Sequence, residues 1–234
     1  MPSKAEPAVI DWLLQPIDAA RAHEVGVYLS WHGRLMVAAW AFLVPLGVVI
    51  ARYFKVTPKQ DWPREVDNRF WWHSHLFCQN AAIVLTVVAV VLIGLVRDYL
   101  WIGSWHFVLG WLIATLAAVQ LLGGLLRGTK GGPTDPQPDG SISGDHYDMT
   151  PRRLAFEAVH KIAGYTALAL AQVTVMTGMW QANAPHWMWL GLLVWWTSLL
   201  AVVWWCERNG RWMDTYLALW GPDPSHPGNR GRRT

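Results

Sequence analysis

The stretch WHGRLMVAAWAFLVPLGVVIARY, residues 31–53, predicts a helix that crosses a membrane. Its middle, Leu35 to Ile50, runs for sixteen residues without a charge. At about 1.5 Å per residue, a helix of this length extends about 34 Å, enough to cross a hydrocarbon core of about 30 Å. His32 stands at the head of this helix. The same design, a histidine followed by an apolar run, recurs three times further along the chain.

The composition agrees with a membrane protein. Of the 234 residues, 53% are hydrophobic and 15% are charged, whereas an ordinary soluble domain has roughly 25% charged residues. Eighteen tryptophans suit the aromatic belts that form at both membrane surfaces. The two cysteines give no disulfide framework, and we interpret them as small buried hydrophobic residues. We therefore expect membrane lipid, and no nucleic acid, around this chain.

Five apolar segments predict five transmembrane helices, at about 31–53, 73–96, 105–127, 152–181 and 186–207. On this basis we divide the chain into an outer amphipathic segment at 1–30, a transmembrane domain at 31–207 and a cytoplasmic tail at 208–234. The loop at 128–151 is the longest and is rich in Gly, Pro and Asp. Such a loop is either mobile or a docking element.

The basic residues are divided unevenly between the two sides of the predicted bundle. Fifteen of the nineteen Lys and Arg residues fall on the side opposite the N-terminus, and the other four are Lys4, Arg21, Arg34 and Arg97. Cytoplasmic loops carry the excess of Lys and Arg in membrane proteins. We therefore expect the N-terminus outside and the C-terminus in the cytoplasm.

Four histidines stand at the N-terminal ends of four predicted spans: His32, His75, His106 and His160. Because successive spans run in opposite directions, His32 and His106 fall on the outer side, and His75 and His160 on the cytoplasmic side. In an up-down-up-down bundle the first and third helices face each other diagonally, as do the second and fourth. Each pair can therefore reach one metal centre from opposite sides, as bis-histidine ligation of a haem requires.

Glycines one helical turn beyond two of these histidines fit the haem interpretation. Gly110 follows His106 by four residues and Gly164 follows His160 by four, so each glycine shares a helix face with its histidine. A glycine there leaves room for a flat macrocycle to pack against the backbone. The alternative is that these glycines only permit close helix packing, which is common in membranes.

Other kinds of site are compatible with the same histidines. A single histidine at a membrane end is usually an interfacial polar residue, and the four could also bind zinc or copper in a transporter. A structural anchor with degenerate sites is a third alternative. The separation between the two pairs and the lack of supporting carboxylates argue against metal transport.

Four motifs resemble, in order and spacing, spans of the eukaryotic-type cytochrome b561 family. They are HGRLMVAAW, WWHSHLFCQ, HFVLG and FEAVHKIAGY, and the resemblance covers about residues 30–207. It implies an all-α membrane protein in which four of the five helices form a bundle around two b-type haems, ligated by His32 with His106 and by His75 with His160. The family's usual first span is missing, as in the forms that are linked to DOMON domains.

The resemblance also implies a function and a location. The tail DTYLALWGPDPSHPGN and the loop GDHYDMTPRR look like the bacterial branch of the family, which implies the inner membrane of a bacterium. The family implies an oxidoreductase similar to ascorbate or ferric reductases, in which electrons pass from a cytoplasmic or membrane donor to an outer acceptor. The alternative is a quinol-linked cytochrome b subunit that serves an outer redox enzyme.

The family's ascorbate site uses basic residues on the cytoplasmic side. In this chain Arg69, Arg152, Arg153 and Lys161 stand in that neighbourhood, although they do not follow the family's pattern. They are also compatible with positive anchors at the membrane surface and with partners of haem propionates. We expect a small-molecule reductant or a quinol, and a separate outer redox protein, as partners, and a homodimer stays open.

Overall fold

The computed structural model describes residues 5–96, 103–227 and 229, and within them every regular element is helical apart from one bridge between Pro16 and Pro185. Five helices are long and apolar enough to cross a membrane, and we call them the first to fifth spans: Val27–Tyr53, Phe70–Gly94, Trp105–Leu125, Pro151–Gln181 and His186–Arg208. Shorter helices cover Ala5–Leu14, Asp145–Asp148 and Thr215–Trp220. The predicted all-α membrane fold with five spans is confirmed.

Local sequence explains where the spans begin. The hydroxyls of Ser104 and Thr150 accept hydrogen bonds from backbone N–H groups in the first turns of the third and fourth spans. Pro151 occupies the first turn of the fourth span, where its missing N–H costs nothing. The first span begins at Val27, four residues before the predicted start, because nothing between Gly26 and Trp31 interrupts the helix.

The first span contains a π-helical stretch, Val37–Leu43, just before Pro45. Because proline has no N–H, the carbonyl of Ala41, four residues earlier, loses its helical donor. Trp195 Nε1 of the fifth span donates to that carbonyl at 2.6 Å. Carbonyl groups freed inside a membrane need such partners. A second carbonyl in the stretch, that of Trp40, is bonded in the same way by the fourth span, at 3.0 Å from Gln172 Nε2. The irregular stretch thus connects three spans.

The spans pack as two pairs that meet in the middle of the bundle. The first and second spans pack along one another, as do the third and fourth, and the π-helical stretch contacts the fourth span. Small buried residues occupy the meeting point and let the helices approach closely: Ala39, Ala41, Ala82, Ala167 and Ala171. This core separates one end of the bundle from the other.

The N-terminal segment is bound to the turn between the fourth and fifth spans. Asn183 is only 2% exposed, and its side chain accepts from Asp18 N and donates to the carbonyls of Asp18 and Arg21. Trp12 stacks on His186, with ring centroids 4.2 Å apart. The helix Ala5–Leu14 leaves Leu14 and other apolar side chains exposed, which suits the amphipathic position expected for this segment.

The loop 128–150 folds against the C-terminal part of the chain, and we call this loop together with the helix Thr215–Trp220 the inner cap. Lys130 pairs with the buried carboxylate of Asp67 at 2.6 Å. Gly131 has a positive φ of 71° and lies so close to Gly144 that an added Cβ would stand 2.9 Å from its Cα. The loop also packs on the chain's own tail, where the rings of His146 and Tyr147 contact those of Tyr216 and Trp220.

Candidate cofactor site: two histidine pairs

The bundle brings the four histidines together as two pairs at its opposite ends. The ring centroids of His32 and His106 lie 6.2 Å apart with an interplanar angle of 81°. Those of His75 and His160 also lie 6.2 Å apart, at 76°. We call the first pair the outer pair and the second the inner pair, following the expected orientation. His73, the other histidine near the head of the second span, is exposed and takes no part in the inner pair.

Backbone carbonyls orient three of the four imidazole rings. In each case Nδ1 lies within hydrogen-bonding distance of a carbonyl of the neighbouring span: His32 with Ala89 at 3.0 Å, His75 with Gly47 at 3.1 Å and His106 with Thr174 at 3.0 Å. Because a carbonyl only accepts, Nδ1 carries the proton and Nε2 keeps its lone pair for a metal. In His160 Nδ1 is buried and has no hydrogen-bond partner among the described residues.

The geometry of both pairs fits the axial ligation of a haem. Two metal–imidazole bonds of about 2 Å, extended by the ring radius on each side, place the two centroids roughly 6 Å apart. Within residues 5–96, 103–227 and 229, no group of three or more His, Cys, Asp or Glu side chains is placed to hold a metal ion. Two donors are too few for a tetrahedral zinc site, but they complete the coordination of an iron already held by a porphyrin.

Glycines leave space beside the ligand rings, although not all of them were predicted to do so. A Cβ on Gly178 would lie 2.7 Å from His106 Cε1, and a Cβ on Gly47 would lie 2.7 Å from Gln79 Nε2. These two contacts were not predictable from the sequence, because in each case the contact partner lies on another span. Of the two predicted glycines, Gly110 faces open space, with no atom within 4 Å of an added Cβ, and Gly164 faces a side-chain amide at 3.4 Å.

Two of the four predicted substrate cations converge beside the inner pair. Arg153 and Lys161 both pair with Glu157, at 3.0 and 3.3 Å, one helical turn before His160. Tyr216 of the inner cap donates its hydroxyl hydrogen to the same carboxylate. Arg153 is 7% exposed, so its charge is largely enclosed by this network, whereas the side chain of Lys161 is 63% exposed.

The other two predicted cations are bound elsewhere. Arg152 donates to the carbonyl of Leu126 at 2.6 Å and so caps the end of the third span. Arg69 lies 3.8 Å from the carboxylate of Asp67, which also holds a lysine of the inner cap. The structure therefore does not bring all four cations together into one positively charged entrance beside the inner pair.

Lys55 is a cation near the inner pair that the sequence did not single out. It is 9% exposed and donates to the carbonyl of Met213 at 2.9 Å. Burial, together with the nearby charges of Lys161 and Arg52, lowers the pKa of Lys55 to about 8. Its position directly after the first span was the only signal, and that signal is shared by any basic residue at a membrane surface.

Comparisons with known proteins find cytochromes and reductases. A putative ferric-chelate reductase 1 homolog of Drosophila melanogaster is 29% identical over 181 residues, which cover 74% of this chain and 25% of the relative. A cytochrome b561 and DOMON domain-containing protein of Arabidopsis thaliana is 29% identical over 150 residues, 63% of this chain and 31% of the relative. The ferric-chelate reductase 1 of Mus musculus is 32% identical over 153 residues, 64% of this chain and 22% of the relative.

The matched part thus spans about a quarter of the length of these relatives. No family model matches the chain, and no solved structure matches it significantly. The relatives of Arabidopsis thaliana carry the family name that the motifs of the four spans predict, cytochrome b561, and that family implies a b-type haem. The similarity to the bacterial branch of the family remains a prediction from the sequence. Together with five apolar spans and two facing histidine pairs, these relatives support a cytochrome b561-like family for the chain.

Proposed function

We propose that the chain carries electrons across a membrane through two b-type haems, one held by His32 and His106 and one by His75 and His160. The observation that carries this proposal is the presence of two facing imidazole pairs, each with a centroid separation of 6.2 Å, at opposite ends of one bundle. The names of the relatives, cytochrome b561 and ferric-chelate reductase, support it, although they describe proteins of which this chain matches about a quarter.

The residues of the chain have distinct roles in this path. A bound haem supplies a carrier for one electron at each end of the bundle. The carbonyls of Ala89, Gly47 and Thr174 fix three of the rings so that Nε2 faces the partner histidine. The small-residue core between the pairs keeps the spans in contact and excludes water from the middle of the membrane.

The proposed direction of electron transfer follows from the expected orientation of the chain and from the membrane potential. With the N-terminus outside and the C-terminus in the cytoplasm of a bacterium, the inner pair faces the cytoplasm. A cytoplasm-negative potential favours the outward movement of an electron by about 2.3 kcal/mol per 100 mV. We therefore place the donor at the inner pair, in the cytoplasm or the membrane, and the acceptor, a separate redox protein or a ferric complex, at the outer pair.

Electron transfer into sealed vesicles tests this proposal. Haem-loaded protein is reconstituted in liposomes that enclose ascorbate, with ferricyanide outside. We expect the chain to accelerate reduction of the external ferricyanide, and His106→Ala or His160→Ala to return the rate to that of empty liposomes. Protein that keeps a full haem complement but does not exceed the rate of empty liposomes would contradict the proposal.

A quinol donor is a second candidate, which the sequence analysis left open. Arg69 and Arg152 are bound away from the inner pair, and Arg153 is enclosed by its own ion pair. Fewer than the four predicted cations are therefore available to attract an anionic reductant to the inner pair. A quinol could instead approach the inner pair from the lipid-facing side of the bundle.

A further inference from the structure

An apolar groove of about 380 Å³ lies between the third and fourth spans at the end of the bundle that holds the inner pair. Its lining residues belong to these two spans or directly follow the third, and include Gln120, Leu122, Gly123, Phe156, Val159 and His160. The second span, which carries the partner His75, does not contribute to the lining. Because exposed apolar side chains of the third and fourth spans flank the groove, we infer that it opens towards the lipid. Leu122 is 56% exposed and Val159 is 54% exposed, so the entrance is apolar.

Two buried polar atoms at this groove lack hydrogen-bond partners among the described residues: Nδ1 of His160 and Oε1 of Gln120. The amide orientation of Gln120 is fixed, because its Nε2 donates to the carbonyl of His160 at 3.0 Å. Oε1 is therefore an unused acceptor. If Nε2 of His160 binds iron, its Nδ1 carries the proton and is an unused donor. Buried polar groups without partners are rare and costly in proteins, so the pair indicates a ligand.

We propose that this groove binds the headgroup of a membrane quinone, with His160 Nδ1 donating to one ring oxygen and Gln120 Oε1 accepting from a quinol hydroxyl. The proposal rests on the proposed haem ligation only for the protonation of His160. The volume is in the range of small-molecule sites, about 300–1,000 Å³, which combine apolar walls with a few polar groups. Phe156, whose ring stacks near His160 with centroids 5.2 Å apart, supplies an aromatic wall.

A quinone explains the site better than an acyl chain of a phospholipid. Both would fill the apolar part of the groove from the bilayer, but only a headgroup with oxygens can satisfy Nδ1 of His160 and Oε1 of Gln120. An isoprenoid tail would leave along the exposed side chains of Leu122 and Val159. Oxidation of one quinol to its quinone here gives up two electrons, one for each proposed haem, and two protons, which leave to the water at the inner end.

Photolabelling with an azido-ubiquinone, followed by mass spectrometry of haem-loaded protein in nanodiscs, tests the site. We expect label on peptides that contain residues 119–126 or 155–160, and excess decylubiquinone should displace it. Gly123→Leu should remove at least about nine-tenths of the label, because an added Cβ already lies 3.7 Å from Phe156 and the larger side chain fills the groove. Gln120→Leu should weaken binding by about fivefold through the loss of one hydrogen bond.

Gly191→Leu is the matched control, since Gly191 faces open space on the fifth span, away from the groove. It should label like the unmodified chain. Label that Gly123→Leu and Gly191→Leu leave equally strong, or that decylubiquinone does not displace, would overturn the site. The haem spectrum is measured on the same samples, and the ascorbate-driven transfer described above is measured on the same protein preparation in liposomes. If they are normal while labelling is absent, the quinone site is wrong and the electron path stands; if haem is missing, the electron path itself fails.

Discussion

At the outer pair both Nδ1 atoms are held by carbonyls, whereas at the inner pair only that of His75 is held in this way within the described residues. The charges differ as well. Arg153, Glu157 and Lys161 form a network one turn before His160. At the outer end Arg34 lies over the ring of Trp31, at 5.3 Å from its centroid.

The two histidine pairs thus share one ring geometry but lie in different surroundings. The ring separation of 6.2 Å is the same at both ends, so the sites should bind the same kind of cofactor. The outer rings are fixed by backbone alone, which suits a site that only passes electrons on. At the inner end, the unsatisfied Nδ1 of His160 and the surrounding charges give a donor something to recognise.

The largest expected effect is the complete loss of one haem when one histidine of its pair is replaced. His106→Ala should remove the outer haem and leave the inner one, and His160→Ala should do the reverse, because each ring is an axial ligand at one end only. The pyridine haemochrome assay checks that each variant loses one haem, and redox titration of the haem bands in the intact protein checks that the two variants keep different haems. His73→Ala is the control and should keep the full haem content, since its side chain is exposed. A chain that loses haem with His73→Ala but keeps it with His75→Ala would reverse our assignment on the second span.

A smaller and graded effect should follow from glycine substitutions at each end. Gly178→Ala places a Cβ 2.7 Å from His106 and should lower occupancy of the outer haem only. Gly47→Ala places a Cβ 2.7 Å from Gln79 Nε2 and displaces the carbonyl that holds His75, so it should lower occupancy of the inner haem only. Redox titration of the haem bands distinguishes the two. Gly191→Ala, in open space, should change neither, and equal losses at both ends would show that the glycines act on packing in general.

Acid should open the inner cap before it affects the outer turn at 182–186. His146 is buried in the cap, where burial and then the positive charge of Arg153 lower its pKa from 6.5 to about 3. Above pH 6.5 the residue is neutral whether the cap is closed or open. As pH falls below 6.5, the open cap binds a proton that the closed cap refuses, so the closed cap loses about 1.4 kcal/mol per pH unit, down to about pH 3.

Hydrogen exchange corrected for intrinsic rates checks this expectation. Between pH 6.5 and 5.5, cap opening should rise by about fivefold, while the turn held by Asn183, which does not titrate, should change little. His146→Phe keeps an aromatic ring against Tyr216, at present 4.8 Å away between centroids, and should remove the pH dependence. If the variant opens with acid as the unmodified chain does, another group is responsible.

The smallest effect concerns an anionic donor at the inner end. Lys161→Ala should slow the reduction of the inner haem by ascorbate by about two- to fivefold at low salt, and less as salt rises. Arg69→Ala, Arg152→Ala and Arg153→Ala should act less, because these side chains are bound to Asp67, to the carbonyl of Leu126 and to Glu157. Stopped-flow absorption measures each rate. An unchanged ascorbate rate together with a collapsed decylubiquinol rate would leave the quinol as the donor.

The sequence predicts the spans and the histidine pairs well, for physical reasons. Long apolar runs must become helices in lipid, and antiparallel order alone decides which ends meet. The partners of the rings were not predictable, because the carbonyls of Ala89, Gly47 and Thr174 depend on the vertical register between spans. The positions of the four predicted cations were only partly predictable. The network around Glu157 that encloses Arg153 includes Tyr216, which lies 59 residues further along the chain than Glu157.

The N-terminal segment shows the same limit. Its apolar residues predict an interfacial position, but they do not indicate that Asn183 will bind the backbone at Asp18 and Arg21. A single polar side chain in a short turn carries no signal of a partner more than 160 residues away in sequence. Contacts of this kind become visible only in three dimensions.

The number of haems per chain tests the central claim most directly. The account holds that two pairs with one ring geometry each bind one b haem. Protein produced with haem supplied should therefore give a haem-to-protein ratio near two, by pyridine haemochrome against quantitative amino-acid analysis. A ratio near one, with all four histidines intact, would contradict the account and leave one pair without its assigned role.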